Sequence, residues 1–238
     1  MPTSLRHKLT ILALAVYFPT LLTVTHIPIP DVVFRAGVSD KGLHFIAFMI
    51  LSFLGWFSAN PYARVRIGYL STWIVLILTG AYAVIDEVTQ LFIQGRNFDM
   101  LDLAANTAGI LAGMLLAGVF SFWWCLLSVI AITIFTLENL CRTDLTKLVP
   151  LTNITFHFIG YLILTLIWNY VFEISRIFSD SRKVLFSVPL FFLIIVYSAE
   201  IILQRPYHLS DIILSVAGIC TGFVIGKFIP FAKLSSEQ

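Results

Sequence analysis

Eight apolar stretches run through this sequence, each about 17 to 25 residues long, which is the length that crosses the hydrocarbon core of a bilayer. Of the 238 residues, 59% are hydrophobic and only 12% are charged. A soluble domain has about 25% charged residues, because polar side chains must cover its surface. The composition therefore predicts a polytopic membrane protein and excludes a soluble enzyme or a secreted disulfide scaffold.

The apolar stretches are continuous, so they predict helices and not the strands of a membrane barrel, which alternate apolar and polar residues. The predicted fold class is all-α, a polytopic transmembrane bundle of about eight helices. A net charge of +2 spread over the loops provides no basic patch, so no nucleic-acid partner is expected. Cys125, Cys141 and Cys220 are odd in number and lack metal-ligand spacing. We predict no cofactor and no metal site.

The limits of the apolar stretches set the predicted spans and their orientation. Helices are placed near residues 9–25, 43–58, 68–93, 101–120, 122–138, 156–172, 184–203 and 210–229. An even number of spans puts both termini on one side of the membrane. With the N-terminus in the cytoplasm, nine of the 15 Lys and Arg residues lie inside, as the positive-inside rule favours. We therefore predict a multi-pass protein with both termini cytoplasmic.

The sequence contains an internal repeat. The segment HFIAFMILSF at His44 recurs as HFIGYLILTL at His157, an offset of 113 residues, and Glu87 and Glu200 have the same offset. Four further pairs have an offset of 109: Arg96 and Arg205, Asp102 and Asp211, Gly109 and Gly218, and Gly113 and Gly222. Helices one to four are thus predicted to recur as helices five to eight.

The repeat predicts two four-helix domains, residues 1–121 and residues 122–238. Four spans are an even number, so the two copies must run parallel through the membrane, unlike the inverted repeats of many transporters. The second copy is degenerate. Its counterparts of Asp40, Lys41, Asp86 and Asn106 are Asn153, Ile154, Ala199 and Ser215.

Unusual polar residues gather at one end of the predicted helices of the first copy. Asp40, Lys41 and His44 open the second span, Asp86, Glu87 and Gln90 close the third, Arg96 and Asp99 lie between spans, and Asp102 and Asn106 open the fourth. Under the predicted orientation this end is extracytoplasmic. Glu87 would lie about 9 Å inside its helix end, where an unpaired carboxylate costs several kcal/mol. It therefore needs a partner.

These residues favour two interpretations, an acid/base or ligand-binding pocket and a charge network that locks helices together. In the pocket interpretation, Glu87 and His44 are the candidate catalytic acid/base residues. The candidate ligand-binding residues are Lys41, Arg96, Asp86, Gln90, Asp102 and Asn106. Asp86, Glu87 and His44 could also hold a divalent ion, although no metal site is predicted.

Three motifs resemble the VanZ-like family of bacterial membrane proteins. They are DKGLHFIAF from Asp40 to Phe48, DEVTQ from Asp86 to Gln90, and GRNFDMLDLAANTAGILAG from Gly95 to Gly113. The resemblance covers about residues 9–120. It implies a place in the bacterial cell envelope, in the cytoplasmic (inner) membrane, and a link to antibiotic resistance, since the founding member is associated with low-level resistance to the glycopeptide teicoplanin. It implies no reaction.

Three functions remain open. The first is an extracytoplasmic pocket that binds, and could modify, a lipid-linked or amphipathic envelope molecule, with Lys41 and Arg96 holding an anionic group. The second is a non-catalytic module for structure or assembly, and the third is a transporter. The expected partners are membrane lipids and such an envelope molecule, and the oligomeric state stays open. Because the second copy has lost several polar residues, the first half is predicted to carry the activity and the second to scaffold it.

Overall fold

A computed structural model describes residues 4–26, 40–93, 96–140, 154–175, 182–204 and 208–228. The chain divides into two compact units, Met1–Phe34 with Ser39–Thr133 and Arg35–Val38 with Ile134–Gln238. The division falls inside the fifth helix, whereas the sequence places the limit of the repeat at residue 121. The two predicted domains were defined by the sequence repeat and not by compactness. Their limits therefore stay a prediction.

Within the described ranges all regular structure is helical, which confirms the predicted fold class. The helices are α1 (Leu5–Thr25), α2 (Asp40–Ala59), α3 (Leu70–Gln90), α4 (Met100–Val119), α5 (Phe122–Leu140), α6 (Gly160–Ser175), α7 (Arg182–Ile202) and α8 (Leu209–Phe228). A π-helical segment, Ile154–Ile159, leads directly into α6. Each predicted span corresponds to one of these eight helices.

Seven helical segments of the described chain are long and apolar enough to cross a membrane. The apolar part of the eighth helix, α5, is shorter and extends over Phe122–Glu138. The protein is therefore a multi-pass membrane protein.

In the first unit, two glycines of α4 allow it to lie directly against α2. A Cβ atom at Gly109 would collide with the Phe45 carbonyl oxygen and would lie 3.0 Å from the Met49 amide nitrogen. One at Gly113 would collide with the Ser52 hydroxyl. Small residues permit such close approach between membrane helices. This contact brings the N-terminal ends of α2 and α4 together.

The helices of the first unit alternate in direction, which creates two different ends. At one end Arg6 Nη2 donates to the Pro61 carbonyl at 2.8 Å, and a His7 ring nitrogen lies 2.9 Å from the Ser58 carbonyl. The start of α1 therefore lies beside the loop that follows α2. The opposite end collects the C-terminal ends of α1 and α3 and the N-terminal ends of α2 and α4, where the candidate site residues lie.

The second unit has the same close contact between α6 and α8. A Cβ atom at Gly218 would collide with the Phe158 carbonyl and would lie 3.2 Å from the Leu162 amide nitrogen. One at Gly222 would lie 2.8 Å from the Thr165 Cβ atom. Each of these residues is the counterpart, at an offset of 109 or 113, of a residue in the corresponding contact of the first unit. The parallel supports the predicted duplication, which remains a hypothesis.

Candidate functional site

Helix ends place acidic residues at the site end of the first unit. Asp40 and Asp102 lie in the first turns of α2 and α4, where the helix dipole favours negative charge. Asp99 caps α4, because its side chain accepts a hydrogen bond from the Leu101 amide at 2.8 Å. The sequence thus places carboxylates where the local backbone stabilises them.

Glu87 is fully buried and is linked to His44 through Asn106. The Asn106 Nδ2 atom donates to Glu87 Oε1 at 3.2 Å, and the Asn106 Oδ1 atom lies 2.9 Å from His44 Nδ1. Because an amide oxygen only accepts, Nδ1 is the protonated ring nitrogen in this arrangement. The other ring nitrogen, Nε2, lies 3.7 Å from Asp40 Oδ1 near the helix end. Polar groups therefore run from the buried carboxylate to the partly exposed Asp40.

One oxygen of Glu87 lacks a hydrogen bond of ordinary geometry among the described residues. Oε2 is buried and has no hydrogen bond with any described residue, while Oε1 lies 3.7 Å from His44 Nδ1. A buried carboxylate oxygen without a donor is unfavourable, and such groups point to a missing ligand, proton or water. The side-chain partners that the structure provides for Glu87 are thus His44 and Asn106, and the Asp99 backbone also acts on its carboxylate.

Asp86 is the most completely hydrogen-bonded acid of the site. Its Oδ1 atom accepts from Thr25 Oγ1 at 2.7 Å and from the Tyr82 hydroxyl at 3.4 Å. Its Oδ2 atom accepts from Gln90 Nε2 at 3.0 Å, and Gln90 Oε1 in turn accepts from Arg96 Nη1 at 3.3 Å. The Arg96 guanidinium therefore reaches Asp86 through Gln90.

Lys41 lies between two carboxylates. Its ammonium nitrogen is 2.7 Å from Asp99 Oδ2 and 2.9 Å from Asp102 Oδ1. This ammonium holds the pKa of the Asp99 carboxyl below its ordinary value, and the Leu101 amide adds to the effect. The charge of Lys41 is thus already balanced, so an anionic ligand would have to compete with two carboxylates for it.

Two overlapping groups of side chains could hold a metal ion. The ligand atoms of Asp40, His44 and Asp102 lie within 4.8 Å of one another, as do those of His44, Asp86 and Glu87. Carboxylate oxygens and an imidazole nitrogen are ligands that divalent cations accept. The expectation of a metal-free site therefore stays a prediction.

All eight candidate residues lie at the same end of the first unit, in three connected groups. His44, Asn106 and Glu87 form one group, Lys41 and Asp102 meet with Asp99 in the second, and Asp86, Gln90 and Arg96 form the third. The two possible metal-ligand sets, which share His44, connect the groups. Whether these residues bind a ligand or catalyse a reaction remains a prediction.

Sequence analysis missed the contribution of α1 to the site. Thr25 and His26 end α1, where Thr25 donates to Asp86 and a His26 ring nitrogen lies 2.7 Å from the Thr89 hydroxyl. Tyr82 was missed because a tyrosine inside an apolar span is ordinary. The available signal was the polar pair Thr25–His26 at the end of an apolar stretch, on the same side as the other candidate residues.

Comparison with known proteins finds one family. Residues 6–121 match the family model VanZ/LLP1. No curated protein and no solved structure matches the chain. The matched residues include α1 to α4 almost completely and every candidate site residue, but none of the second copy. Residues 6–121 of this chain therefore belong to the VanZ-like family.

Proposed function

We propose that this protein lies in the bacterial cytoplasmic membrane and binds the polar group of a lipid-linked or amphipathic envelope molecule at the extracytoplasmic end of its first unit. Membership in the VanZ-like family and the membrane-spanning helices support this setting. In this proposal Glu87 and His44 act as the acid/base pair. Resistance to teicoplanin is the expected phenotype.

The unpartnered oxygen of Glu87 is the observation that carries the proposal. A group that only locks helices would be expected to have both oxygens satisfied, as Asp86 has. Glu87 instead keeps one acceptor unused beside an imidazole that reaches towards the helix end. A ligand hydroxyl, amide or ammonium group could donate to this oxygen, and the unprotonated His44 Nε2 could accept a proton on the side of Asp40.

The surrounding charges define the ligand further. Lys41 is balanced by two carboxylates, and Arg96 lies on the opposite side of Gln90 from Asp86. A phosphate could therefore be held at the partly exposed rim only by exchange with these partners. A hydrogen-bond donor directed at Glu87 needs no such exchange. The proposed ligand accordingly presents a donor group to Glu87 and any anionic group to Lys41 and Arg96.

The test uses a teicoplanin-susceptible bacterial host that expresses the full chain. Expression should lower teicoplanin susceptibility, and Glu87→Gln should abolish this effect, because the change keeps the shape of the side chain and removes its charge. Glu173→Gln is the matched control, since Glu173 is an exposed carboxylate on α6. Membrane levels of each variant are measured by immunoblot. Full resistance with Glu87→Gln would show that the carboxylate is dispensable, and no effect of the wild-type chain would disprove the link to teicoplanin.

A structural role is the second candidate, because Lys41 and Asp86 have the connected partners of a helix-locking network. In that case Glu87→Gln should lower the thermal stability of the purified protein and the resistance together. The binding proposal expects resistance to be lost while the melting temperature stays near that of the wild type. Thermal unfolding of both proteins in the same detergent separates the two functions.

A further inference from the structure

The second unit contains a second buried cluster of acidic residues around a histidine. Its members are Glu138 on α5, His157 in the π-helical segment, Glu200 on α7 and Asp211 on α8, and all of them are buried. His157 Nδ1 lies 3.4 Å from Glu138 Oε1, and His157 Nε2 lies 3.7 Å from Asp211 Oδ2. Glu138, His157 and Asp211 all interact electrostatically with Glu200. His157 therefore lies between Glu138 and Asp211, and Glu200 is within electrostatic range of all three.

Glu138 supplies a carboxylate that the second copy lacks at its expected place. The counterpart of Asp86 at an offset of 113 is Ala199, so sequence comparison indicates that this acid has been lost. Glu138, however, is the counterpart of Thr25 at the same offset. In the first unit Thr25 contacts Asp86 directly, with a hydrogen bond of 2.7 Å. The second copy thus has a carboxylate on its first helix where the first copy has one on its third.

We propose that the second unit has its own acid–histidine site, in which Glu138 takes the place of Asp86, and that this site binds protons. The site therefore has a function of its own, beyond the scaffolding role that the sequence predicts for the second copy. It is also separate from the ligand proposed for the first unit.

In the part of the chain that the structure describes, the second cluster contains more carboxylates than cationic groups. Three carboxylates face one imidazole, whereas in the first unit Lys41 compensates two carboxylates. The counterpart of Lys41 is Ile154, which has no charge. Arg205 lies outside the described residues. A buried carboxylate without a counter-charge takes up a proton.

The surrounding side chains favour protons over a metal ion. Among the described residues, the titratable groups with known interactions in this cluster include Glu138, His157, Tyr161, Tyr197, Glu200 and Asp211, and His208 lies three residues before Asp211. Glu200 Oε2 is buried without a hydrogen-bond partner among the described residues, so a proton there would satisfy an otherwise unpaired atom. Among those residues, three ligand atoms close enough for one metal ion occur only in the first unit.

Carbodiimide labelling tests the bound proton. The full-length protein in lipid vesicles is treated with N,N′-dicyclohexylcarbodiimide, an apolar reagent that reacts with protonated carboxyl groups, and the adducts are located by mass spectrometry. At pH 7 we expect several-fold more labelling at Glu138 or Glu200 than at the exposed Glu173, and a fall in labelling as the pH is raised. Labelling of Glu138 and Glu200 no greater than that of Glu173 would overturn the proposal. Loss of labelling on addition of Mg²⁺, Mn²⁺ or Zn²⁺ at constant pH would also overturn it, in favour of a metal site.

A double-mutant cycle tests the relocation of the carboxylate. Glu138→Thr removes the acid from α5, and Ala199→Asp restores it at the counterpart of Asp86. Each single change should lower the melting temperature by several degrees, and the double variant should recover much of the loss, because the cluster again has three acids. The recovery can be measured even where one single variant folds poorly. Additive losses would show that the two positions do not share one site.

Discussion

At the scale of single residues, Asn106 connects the two candidate acid/base residues of the first unit. Its amide donates to Glu87 through Nδ2 and accepts at Oδ1 from His44. The amide has one orientation that satisfies both neighbours, so it also determines which imidazole nitrogen has the proton. Glu87 and His44 therefore depend on a neutral residue for their geometry.

We expect Asn106→Ala to destabilise the protein by about 1–3 kcal/mol, because it leaves two buried polar groups without a partner. Ser215→Ala is the matched control, since Ser215 is the fully buried counterpart in the second unit and loses a smaller polar group. Thermal unfolding of the purified variants in one detergent measures the difference. Equal losses for both variants would contradict the role assigned to Asn106.

The pair of Lys41 and Asp99 should make stability depend on pH. The pKa of Asp99 is lowered in the folded protein, so the pair stabilises the fold above the ordinary Asp range and is lost as the pH falls through the lower, folded value. Asp99→Asn keeps a capping side chain and removes the charge. The wild type should exceed this variant in melting temperature at pH 6, and the difference should shrink below about pH 4. A difference that does not change with pH would rule the ion pair out as its source.

At the scale of helices, glycine positions set how closely α2 and α4 approach. Phe45 and Met49 of α2 present backbone atoms where a side chain at Gly109 would stand. This close contact also places Lys41 beside Asp102, and His44 beside Asn106. The geometry of the site therefore depends on a contact between α2 and α4 in which the α4 residue is a glycine and contributes no side chain.

Gly109→Ala should destabilise the protein by about 1–3 kcal/mol, because the added methyl group collides with the Phe45 carbonyl. Gly118→Ala on the same helix provides the control. There the nearest atoms, of Val65, lie 3.6 to 3.7 Å from the added Cβ, which is ordinary contact. The control should be neutral or slightly stabilising, since Ala favours a helix over Gly. Equal destabilisation by the two changes, measured by thermal unfolding, would contradict the close contact.

At the scale of the whole molecule, the membrane orientation decides which compartment the first site faces. The proposed orientation puts Asn97, in the loop before α4, outside and Tyr62, in the loop after α2, inside; both are exposed. The repeat and the distribution of Lys and Arg support it.

Single cysteines test this orientation in a variant without Cys125, Cys141 and Cys220. Asn97→Cys should react with a membrane-impermeant thiol reagent added to intact cells. Tyr62→Cys should react only after the membrane is made permeable. The reverse pattern would place the candidate site in the cytoplasm and would exclude an extracytoplasmic ligand.

The sequence by itself determined the helical class, the position of all eight helices and the gathering of polar residues at one end. These properties follow from hydrophobic length and from the order of residues along each helix, which are local. The candidate residues could be recognised for the same reason, since His44, Glu87 and Asp102 each stand near the end of an apolar stretch.

Only the tertiary structure decided which of these residues meet. Partner choice depends on how each helix is rotated and how closely its neighbours approach, and neither follows from the order of residues. In the structure Lys41 forms ion pairs with Asp99 and Asp102, and Thr25 donates a hydrogen bond to Asp86. The structure also places Glu138 beside His157. The repeat alone indicates that the second copy lacks an acid, since the counterpart of Asp86 is Ala199. A carboxylate can nevertheless enter the same cluster from a neighbouring helix.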